Sequence, residues 1–504
     1  MESNDLVYIL PLLITGFGAI VLMLMSTFKT VHIRAGAGFA LVFLSLAMLI
    51  DIYNLNNNGK AYSIFPFSET FGNMIVVDTF SSYFSSLIIL GGILTILIGL
   101  HYFEKYKQFT VEFFSLFLFS VFGMILLVHS NELITAFISL EIASLSLYVM
   151  IGFQKVIDRR VEASFKYLVL GSLASVFFLL GIALIYAATQ TTKIGEIGEF
   201  IAINIESDMT LVITGTTMIL VTFLFKIAAF PFQNWALDVY DGAPLPVTSF
   251  IAATFKAAIF GFIMRLILVD FDLLRDFWDQ MLVYITIFTL AYGSFLAIIQ
   301  SSIKRMLVAS SIVHTGYLLI GFIAIGVVGE SGASSIIFYL FAYFLSAIGA
   351  FGLIAYIASE DGLRITYNDF KGFAHIRPYM AAMLSVFMLS LAGIPSTIGF
   401  VGKFYIFTGA IQAGYSVLAI FGILATLVSI YYYFRLIAIM YFYPSAHLQN
   451  VPPLKGIAPL VIGVIALLII WGGIGNSLIS YFPGVDFLIA MAKESYESLF
   501  IPLT

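Results

Sequence analysis

The sequence predicts an all-α integral membrane protein of about fourteen transmembrane helices, two of them broken and set in two inverted five-helix repeats. Of its 504 residues, 61% are hydrophobic and only 10% are charged, and the mean hydropathy is +1.06. A soluble domain has about a quarter of its residues charged, so these charges are too few to coat a globular surface. Lipid is therefore the expected outer solvent, and lysines stand inside several of the apolar runs.

Fourteen apolar runs are long enough to cross about 30 Å of hydrocarbon. They lie near residues 7–26, 34–53, 80–100, 112–129, 133–153, 165–188, 210–232, 245–268, 277–299, 305–326, 335–357, 380–407, 414–441 and 457–481. The longest loops, 54–79 and 189–209, are too short for a soluble domain. The acidic start predicts a permanent first helix, since a cleaved signal peptide begins with basic residues. The tail from Asp486 to Thr504 predicts a short amphipathic helix.

The composition excludes several classes of site. The chain has no cysteine, which rules out disulfides, cysteine-ligated iron–sulfur clusters and cysteine-based zinc sites. The six histidines are scattered, and no pair has the spacing of metal or haem ligands. The net charge is -5 without a basic patch, which argues against nucleic acid as a partner.

The basic residues predict the orientation, because cytoplasmic loops carry the excess of lysine and arginine. With the first residue outside, fourteen of them face inward and five face outward. The inward set is Lys29, Arg34, Lys105, Lys107, Lys155, Arg159, Arg160, Lys304, Arg305, Arg364, Lys371, Arg377, Arg435 and Lys455, and the outward set is Lys60, Lys193, Arg265, Arg275 and Lys493. An even number of spans then places both termini outside.

Four lysines remain, and all lie within predicted spans: Lys166, Lys226, Lys256 and Lys403. A lysine near the bilayer centre costs about 2.5–3.5 kcal/mol on insertion scales, so four charged lysines would cost on the order of 10 kcal/mol. Burial offsets part of this cost by favouring the neutral amine. A lysine tuned in this way can gain and lose a proton near neutral pH, as a proton relay requires.

Glu141 lies inside the fifth span. Ser144 and Tyr148 follow it by three and seven residues, so the three side chains share one helix face. A buried carboxylate needs a partner, and a nearby lysine would form a pair that titrates as one unit. A purely structural ion pair is the alternative interpretation.

Two of the lysines lie beside predicted helix breaks. Pro231 follows Lys226, and Gly393 and Pro395 precede Lys403. Proline removes a backbone donor, and irregular backbone at membrane depth survives only against protein or water. The breaks are five spans apart, which predicts two five-helix units, spans 4–8 and 9–13. Five is an odd number, so the two units would be inverted, as in many transporters. Two unrelated proline kinks are the alternative.

The chain is accordingly divided into an N-terminal three-helix segment (1–110), a first half (111–268), a second half (269–441) and a C-terminal helix with its tail (442–504).

The sequence supports a relay role for the other three candidates to different degrees. Lys256 has about ten residues of helix on either side, so it cannot easily snorkel to the interface. Lys166 begins the sixth span, where an ion pair with Glu162 explains it nearly as well as a relay role. His314 lies well inside its span among hydroxyl neighbours, and a satisfied core histidine and a relay group remain equal interpretations. The many aromatic residues are interpreted as packing and lipid-facing.

These segments together resemble the antiporter-like membrane subunits of complex I, the proton-pumping NADH–quinone oxidoreductase. The likeness is strong from about Glu132 to Arg435, and lysine at position 403 together with the short tail favours the N-type members. Gln233 stands where the family often has histidine, and Ala236 stands where proline is usual. Neither is a proposed proton carrier, so these departures affect only the expected geometry of the loop. The motifs that carry the resemblance are Glu162–Tyr167, Lys226–Phe232, Asp238–Val247, Ala253–Lys256, Ser301–Arg305, Ser310–Gly316, Ser390–Pro395 and Gly399–Phe404.

The resemblance implies a role for each candidate. Glu141 and Lys226 would form the regulating pair of one half-channel, and Lys256 would be the central relay. His314 would link the halves and Lys403 would be the outlet carrier, with Lys166 as an accessory group near the inner mouth.

The resemblance also implies that no cofactor binds this chain, because FMN, iron–sulfur clusters and quinone belong to other subunits. The implied partners are the neighbouring antiporter-like subunit, the small quinone-proximal subunits and the lipid bilayer of a bacterial plasma (inner) membrane.

Two other functions remain open. A cation/proton antiporter of the multisubunit Na+/H+ type would use the same buried lysines. A gene position beside flavin and iron–sulfur subunits would decide for complex I. A passive scaffold is disfavoured by titratable groups buried beside two broken helices.

Overall fold

The chain folds almost entirely into helices, as expected where lipid forces each segment to satisfy its own backbone. The computed structural model describes residues 5–28, 32–55, 62–63, 74–106, 108–358, 365–444, 456–478 and 484–500. Outside these ranges lie residues 479–481 of the last predicted span, residues 501–504 of the tail, and five basic residues used for the orientation: Lys29, Lys60, Lys107, Arg364 and Lys455.

Within the described residues the α-helices are numbered in chain order. The first ten are α1 (Asp5–Met25), α2 (Ile33–Leu55), α3 (Thr79–Lys105), α4 (Val111–His129), α5 (Leu133–Ile151), α6 (Asp158–Thr189), α7 (Ile194–Asn204), α8 (Thr210–Lys226), α9 (Asn234–Gly242) and α10 (Leu245–Phe250). The others are α11 (Lys256–Arg265), α12 (Asp279–Ile299), α13 (Ile303–Val328), α14 (Glu330–Ile357), α15 (Phe373–Ile376), α16 (Pro378–Ala392), α17 (Ile398–Gln412), α18 (Ser416–Phe442), α19 (Ile457–Leu478) and α20 (Val485–Glu497).

Two π-helical stretches, Ile251–Phe255 and Leu266–Asp270, join and extend α10 and α11 into one continuous helix. A two-residue antiparallel pairing connects β1 (Tyr62–Ser63) with β2 (Val76–Val77).

Twelve helices in the described part of the chain are long and apolar enough to cross a membrane. They coincide with twelve of the predicted spans, and the other two, 210–232 and 380–407, are the ones predicted to be broken. Two expectations were wrong. The sixth span begins at Asp158, so Lys166 lies two turns inside α6, and the predicted loop 189–209 contains the short helix α7.

The centre of the molecule is formed by the continuous α10–α11 helix together with α13 and α14, whose residues are nearly all buried. By contrast, α1, α2, α6, α12, α18 and α19 leave more than half of the residues in their most apolar stretch at least partly exposed. Lys256 and His314 are carried by the central helices, so both side chains are withdrawn from the lipid-facing surface.

A buried ion pair ties the N-terminal helices to this centre. Asp78 caps α3 by accepting the backbone N–H of Ser81 at 2.7 Å, and Arg265 at the end of α11 donates to Asp78 Oδ1 at 2.8 Å. Burial raises the pKa of the Asp78 carboxyl, but the Arg265 charge and the hydrogen bonds outweigh it and hold the pKa below its usual value. The pair therefore strengthens this junction while Asp78 is ionised.

Candidate functional site

The first helix break lies where the sequence predicts it. α8 ends at Lys226 and α9 begins at Asn234. Between them Ala228 has a φ of 57°, in the left-handed region, and the Phe230–Pro231 peptide bond is cis. Lys226 thus occupies the last position of α8, where the partial negative charge of a helix C-terminus favours a cation.

Side chains satisfy backbone groups that the first break leaves free. The indole of Trp235 donates to the Phe225 carbonyl at 3.1 Å, and the Thr315 hydroxyl donates to the Ile227 carbonyl at 2.9 Å. Unpaired carbonyls at membrane depth would cost several kcal/mol each. The irregular backbone is therefore stabilised by protein contacts, and one of them comes from the central helix α13.

Lys226 is bound by hydroxyl groups of α5. Its ammonium donates to Ser144 Oγ at 2.9 Å and to the Tyr148 hydroxyl at 3.2 Å, and the residue is 2% exposed. Both partners lie on the helix face that the sequence assigned to Glu141. Lys226 therefore contacts the face of α5 that also carries Glu141.

The partner of Glu141 differs from the expectation. Glu141 is half-buried and accepts the hydroxyl of Ser175, on α6, at 2.5 Å. Both Glu141 and Lys226 are described, and no ion pair within 4.0 Å joins them. Ser144 and Tyr148 lie on the same face of α5 as Glu141 and bind the Lys226 ammonium. The lysine therefore contacts the face that carries the carboxylate without touching the carboxylate itself.

Lys256 lies at the centre with three short polar contacts. Its ammonium donates to the carbonyl and the hydroxyl of Ser311 at 2.8 and 2.6 Å, and to the Thr315 hydroxyl at 2.9 Å. The Tyr343 hydroxyl donates to the same Ser311 hydroxyl at 2.9 Å. Because Thr315 also bonds to Ile227, a single hydroxyl group links Lys256 to the backbone beside Lys226.

The second break also forms at its predicted place. α16 ends at Ala392, the left-handed Gly393 (φ 79°) follows it, and α17 begins at Ile398. Lys403 folds back from α17 and donates to the carbonyls of Leu391 and Ala392 at 2.9 and 3.1 Å. These are carbonyls that a helix C-terminus leaves free, so this lysine caps the helix before the break.

His314 is placed between two tyrosines. Its Nδ1 lies 2.5 Å from the Tyr339 hydroxyl and its Nε2 lies 3.2 Å from the Tyr433 hydroxyl. The ring of Tyr317 lies 5.6 Å from the His314 ring, and the ammonium of Lys403 lies 4.6 Å from the centre of that same tyrosine ring. His314 therefore contacts the surroundings of Lys403, and it is fully satisfied in this conformation.

Lys166 lies apart from this buried group. Its side chain is 42% exposed and pairs with Glu162 at 2.7 Å and with Asp238 at 3.2 Å. The ion pair with Glu162 that the sequence suggested is present. The structure brings the other three lysines and His314 into one buried region and leaves Lys166 in a surface ion cluster.

The three buried candidate lysines share one chemical feature. Their hydrogen-bond partners are hydroxyls and carbonyls, and among the residues that the structure describes no carboxylate oxygen lies within 4.0 Å of Lys226, Lys256 or Lys403. Lys304, which is also buried, shares this feature by donating to two backbone carbonyls. A hydroxyl both donates and accepts, as does a neutral imidazole through its two nitrogens. Such partners hold an ammonium without fixing its proton.

The residues that sequence reasoning missed are mainly tyrosines and hydroxyls. Tyr339, Tyr343 and Tyr433 were interpreted as packing residues, and Ser175 and Thr315 were given no role. Only Ser144 and Tyr148 could be found, because their helical spacing from Glu141 is visible in the sequence. Across the described ranges, no group of three histidine or acidic side chains is placed to hold a metal ion.

Buried cations beside interrupted membrane helices define the chain as an ion-transporter type of membrane protein. A family model described as NADH:quinone oxidoreductase/Mrp antiporter, TM, matches residues 130–429. The chain belongs to this family, and the resemblance noted from its motifs is confirmed.

Relatives and solved structures agree with the family. NADH-quinone oxidoreductase subunit N of Trichlorobacter lovleyi is 41% identical over 377 residues, 75% of this chain and 77% of the relative. Subunit N 1 of Solibacter usitatus is 35% identical over 503 residues, 99% of this chain and 98% of the relative. A chain of respiratory complex I from Thermus thermophilus with bound Aureothin has a TM-score of 0.77 and 28% identity, covering 93% of this chain and 98% of that one. A chain of the Mrp complex from Dietzia sp. has a TM-score of 0.82 at 17% identity, covering 99% and 98%, and it shares the fold.

Proposed function

We propose that this chain is a proton-translocating membrane subunit of a NADH–quinone oxidoreductase, coupled to quinone reduction elsewhere in the complex. The observation that carries the proposal is a set of three fully buried lysines, Lys226, Lys256 and Lys403, held by hydroxyl and carbonyl groups without a carboxylate in contact. The enzyme in which the chain would work is inferred from its relatives, which are named NADH-quinone oxidoreductase subunit N.

The proposed path starts at the first break and runs inward. Thr315 accepts a hydrogen bond from Lys256 and donates one to Ile227, the residue after Lys226. Glu141 and Lys226 would act together, the carboxylate influencing the lysine across Ser144 rather than through an ion pair. Lys166 would be an accessory group at the inner mouth.

From Lys256 the path continues through aromatic residues. Tyr343 bonds to the Ser311 hydroxyl that Lys256 also contacts, and its ring lies 4.8 Å from that of His314. His314 would pass a proton between its two nitrogens, and Lys403, across the Tyr317 ring, would be the outlet carrier. The neutral imidazole suits this step because it carries one donor and one acceptor.

The proposed architecture has fourteen spans, obtained by adding the two broken helices to the twelve continuous ones. Two five-helix repeats, spans 4–8 and 9–13, would then each have a broken helix in fourth place, and they would be inverted. The proposed segments remain 1–110, 111–268, 269–441 and 442–504. This arrangement is supported by a left-handed residue at each break, Ala228 and Gly393, and by a lysine beside each break, Lys226 before the first and Lys403 after the second.

The proposed surroundings follow from the family. The chain would lie in a bacterial plasma (inner) membrane with both termini on the periplasmic side. Its partners would be the neighbouring antiporter-like subunit and the small quinone-proximal subunits. FMN, the iron–sulfur clusters and the quinone would be held by other subunits. For the clusters this agrees with the sequence, because the chain has no cysteine with which to ligate one.

The test is Lys226→Ala in the assembled complex, with quinone-linked proton pumping measured in membrane vesicles. We expect pumping to fall steeply while assembly survives, because the change removes the ammonium and leaves the break intact. Lys193→Ala is the matched control, since Lys193 is a surface lysine paired only with Glu196. Unchanged pumping by an assembled Lys226→Ala complex would refute the relay assignment.

Glu141→Gln tests the coupling between the carboxylate and the lysine. A loss of pumping with normal assembly is expected, because glutamine keeps the shape of the side chain and removes its charge. If pumping is unaffected, the charge of Glu141 has no part in the path.

A further inference from the structure

Another buried acid lies in the helices that precede the matched family segment. Asp51, near the end of α2, is fully buried, although the rest of the buried stripe of α2 is mostly glycine and alanine. Ser86 on α3 donates to Asp51 Oδ2 at 2.8 Å, while Oδ1 has no partner. This carboxyl has no place in the proposed lysine path.

The acid faces a cluster of unpartnered hydroxyls. Ser82 lies four residues before Ser86 on the same face of α3. Ser85 directly precedes Ser86, and both Ser82 and Ser85 are fully buried. Neither hydroxyl oxygen has a hydrogen-bond partner, and neither does the carbonyl oxygen of Asn54, one turn beyond Asp51. Buried polar atoms are nearly always hydrogen-bonded, and a hydrogen on the unpartnered oxygen of Asp51 would give the nearby serine oxygens a donor.

Among the described side chains, no basic group lies within 4.0 Å of this carboxyl. Of the helices packed against α2, α1 contributes Tyr8 near this end. α3 offers Tyr83, and α4 offers His129, whose Nδ1 lies 2.8 Å from the Ile125 carbonyl. The Arg265 charge is engaged with Asp78 at 2.8 Å.

The other charged side chains described on these helices lie at the opposite end, where Arg34 pairs with Glu104 at 2.5 Å. An ionised carboxylate left alone in an apolar interior is prohibitively costly and takes up a proton instead.

We propose that Asp51, with Ser82, Ser85 and Ser86, forms a proton-binding site in the N-terminal helices, separate from the lysine path. The bound hydrogen makes the acid a donor to a serine oxygen while Ser86 continues to donate to Oδ2. Asp51 stands four residues before the end of α2, about 6 Å along the helix axis. Asn54 lies between it and that end, and its amide donates to the Tyr8 carbonyl at 3.1 Å. This end of α2 is therefore the nearer one for exchange of the proton with the aqueous phase.

The test is infrared difference spectroscopy on the full chain in its assembled complex. At neutral pH, wild type minus Asp51→Asn should show the carbonyl stretch of a protonated carboxylic acid, and the band should shift after transfer to D2O. Ser86→Ala should move the band without abolishing it. Asp208→Asn is the matched control, since Asp208 is exposed, its hydrogen bonds from Thr210 lower its pKa, and its removal leaves the protonated-acid region unchanged.

Three results would overturn the proposal. A wild-type spectrum with only the carboxylate band of Asp51 at neutral pH means that no proton is bound. A protonated band that sodium abolishes means that the oxygens form a cation site, and a band that D2O leaves in place means a trapped structural proton. If Asp51→Asn fails to assemble, the carbonyl band is tested by its shift in D2O and by its displacement in Ser86→Ala. Absence of both changes would then overturn the proposal.

Discussion

Gly171 on α6 sets the position of the tyrosine that holds Lys226. A methyl group at position 171 would stand 2.1 Å from the Tyr148 hydroxyl oxygen and 2.8 Å from the ring carbon that carries it. The Tyr148 ring cannot simply rotate away, because it is buried and packs edge-on against Tyr167 with ring centres 4.7 Å apart. Gly171→Ala must therefore displace the hydroxyl from Lys226.

The size of this effect can be worked from the contacts. Alanine in a helix interior gains about 1 kcal/mol over glycine, whereas overpacking a buried site costs about 1–3 kcal/mol. The net change in stability is therefore small. The functional change is larger, because a hydrogen bond to a charged donor contributes about 1.5–3 kcal/mol. Losing the 3.2 Å bond to Lys226 corresponds to roughly a 10- to 150-fold change in the equilibrium that holds the ammonium in place.

The assay is quinone-linked proton pumping by vesicles that contain the assembled complex. Gly171→Ala should assemble and lose most of its pumping. Gly409→Ala should behave as wild type, since a methyl group there meets no atom within 4 Å. In a Tyr148→Phe background, where the hydroxyl is already absent, Gly171→Ala should cause a much smaller further loss. Full pumping by Gly171→Ala, or an equal proportional loss in both backgrounds, would refute the positioning of Lys226 by Tyr148.

Two further substitutions test the central contact and the N-terminal junction. Thr315→Val keeps the shape of the side chain but removes the hydroxyl that accepts from Lys256 at 2.9 Å; pumping should fall, and normal vesicle pumping would count against the contact. The pKa of Asp78 is lowered in the folded chain, so its pair with Arg265 contributes stability above about pH 4 and loses it as the pH falls through the folded pKa. Thermal unfolding in detergent should show this acid-sensitive loss, and Asp78→Asn should remove it; an identical pH profile in the variant would contradict the assignment.

The sequence was sufficient to predict most of the helices and both breaks. Long apolar runs and the glycine and proline residues near Lys226 and Lys403 act locally, and local signals survive in a single sequence. The helix α7 was missed because its eleven residues are too short to span a membrane and were assigned to a loop. The start of α6 was misplaced because Arg159, Arg160 and Glu162 interrupt its hydropathy.

The contacts at the site were less accessible from the sequence. That Ser144 and Tyr148 share a face with Glu141 follows from helical spacing alone. That Ser175 would bond to Glu141, or Thr315 to Lys256, depends on which helices pack together, and nothing in one sequence fixes that. The expected ion pair between Glu141 and Lys226 rested on charge complementarity, and the structure meets the needs of both groups with hydroxyls instead.

The helix breaks help explain why Lys226 and Lys403 can do without carboxylates. Lys226 is the last residue of α8, and the Lys403 ammonium caps α16 through two carbonyls, so both lysines are associated with the negative end of a helix. A favourable helix terminus contributes up to about 2 kcal/mol, and hydrogen bonds to a charged group add about 1.5–3 kcal/mol each. Together these terms come close to the several kcal/mol that burying one ion costs. A contacting carboxylate would favour the charged form, whereas a hydroxyl can donate to the neutral amine as well as accept from the ammonium. A proton carrier needs partners for both forms.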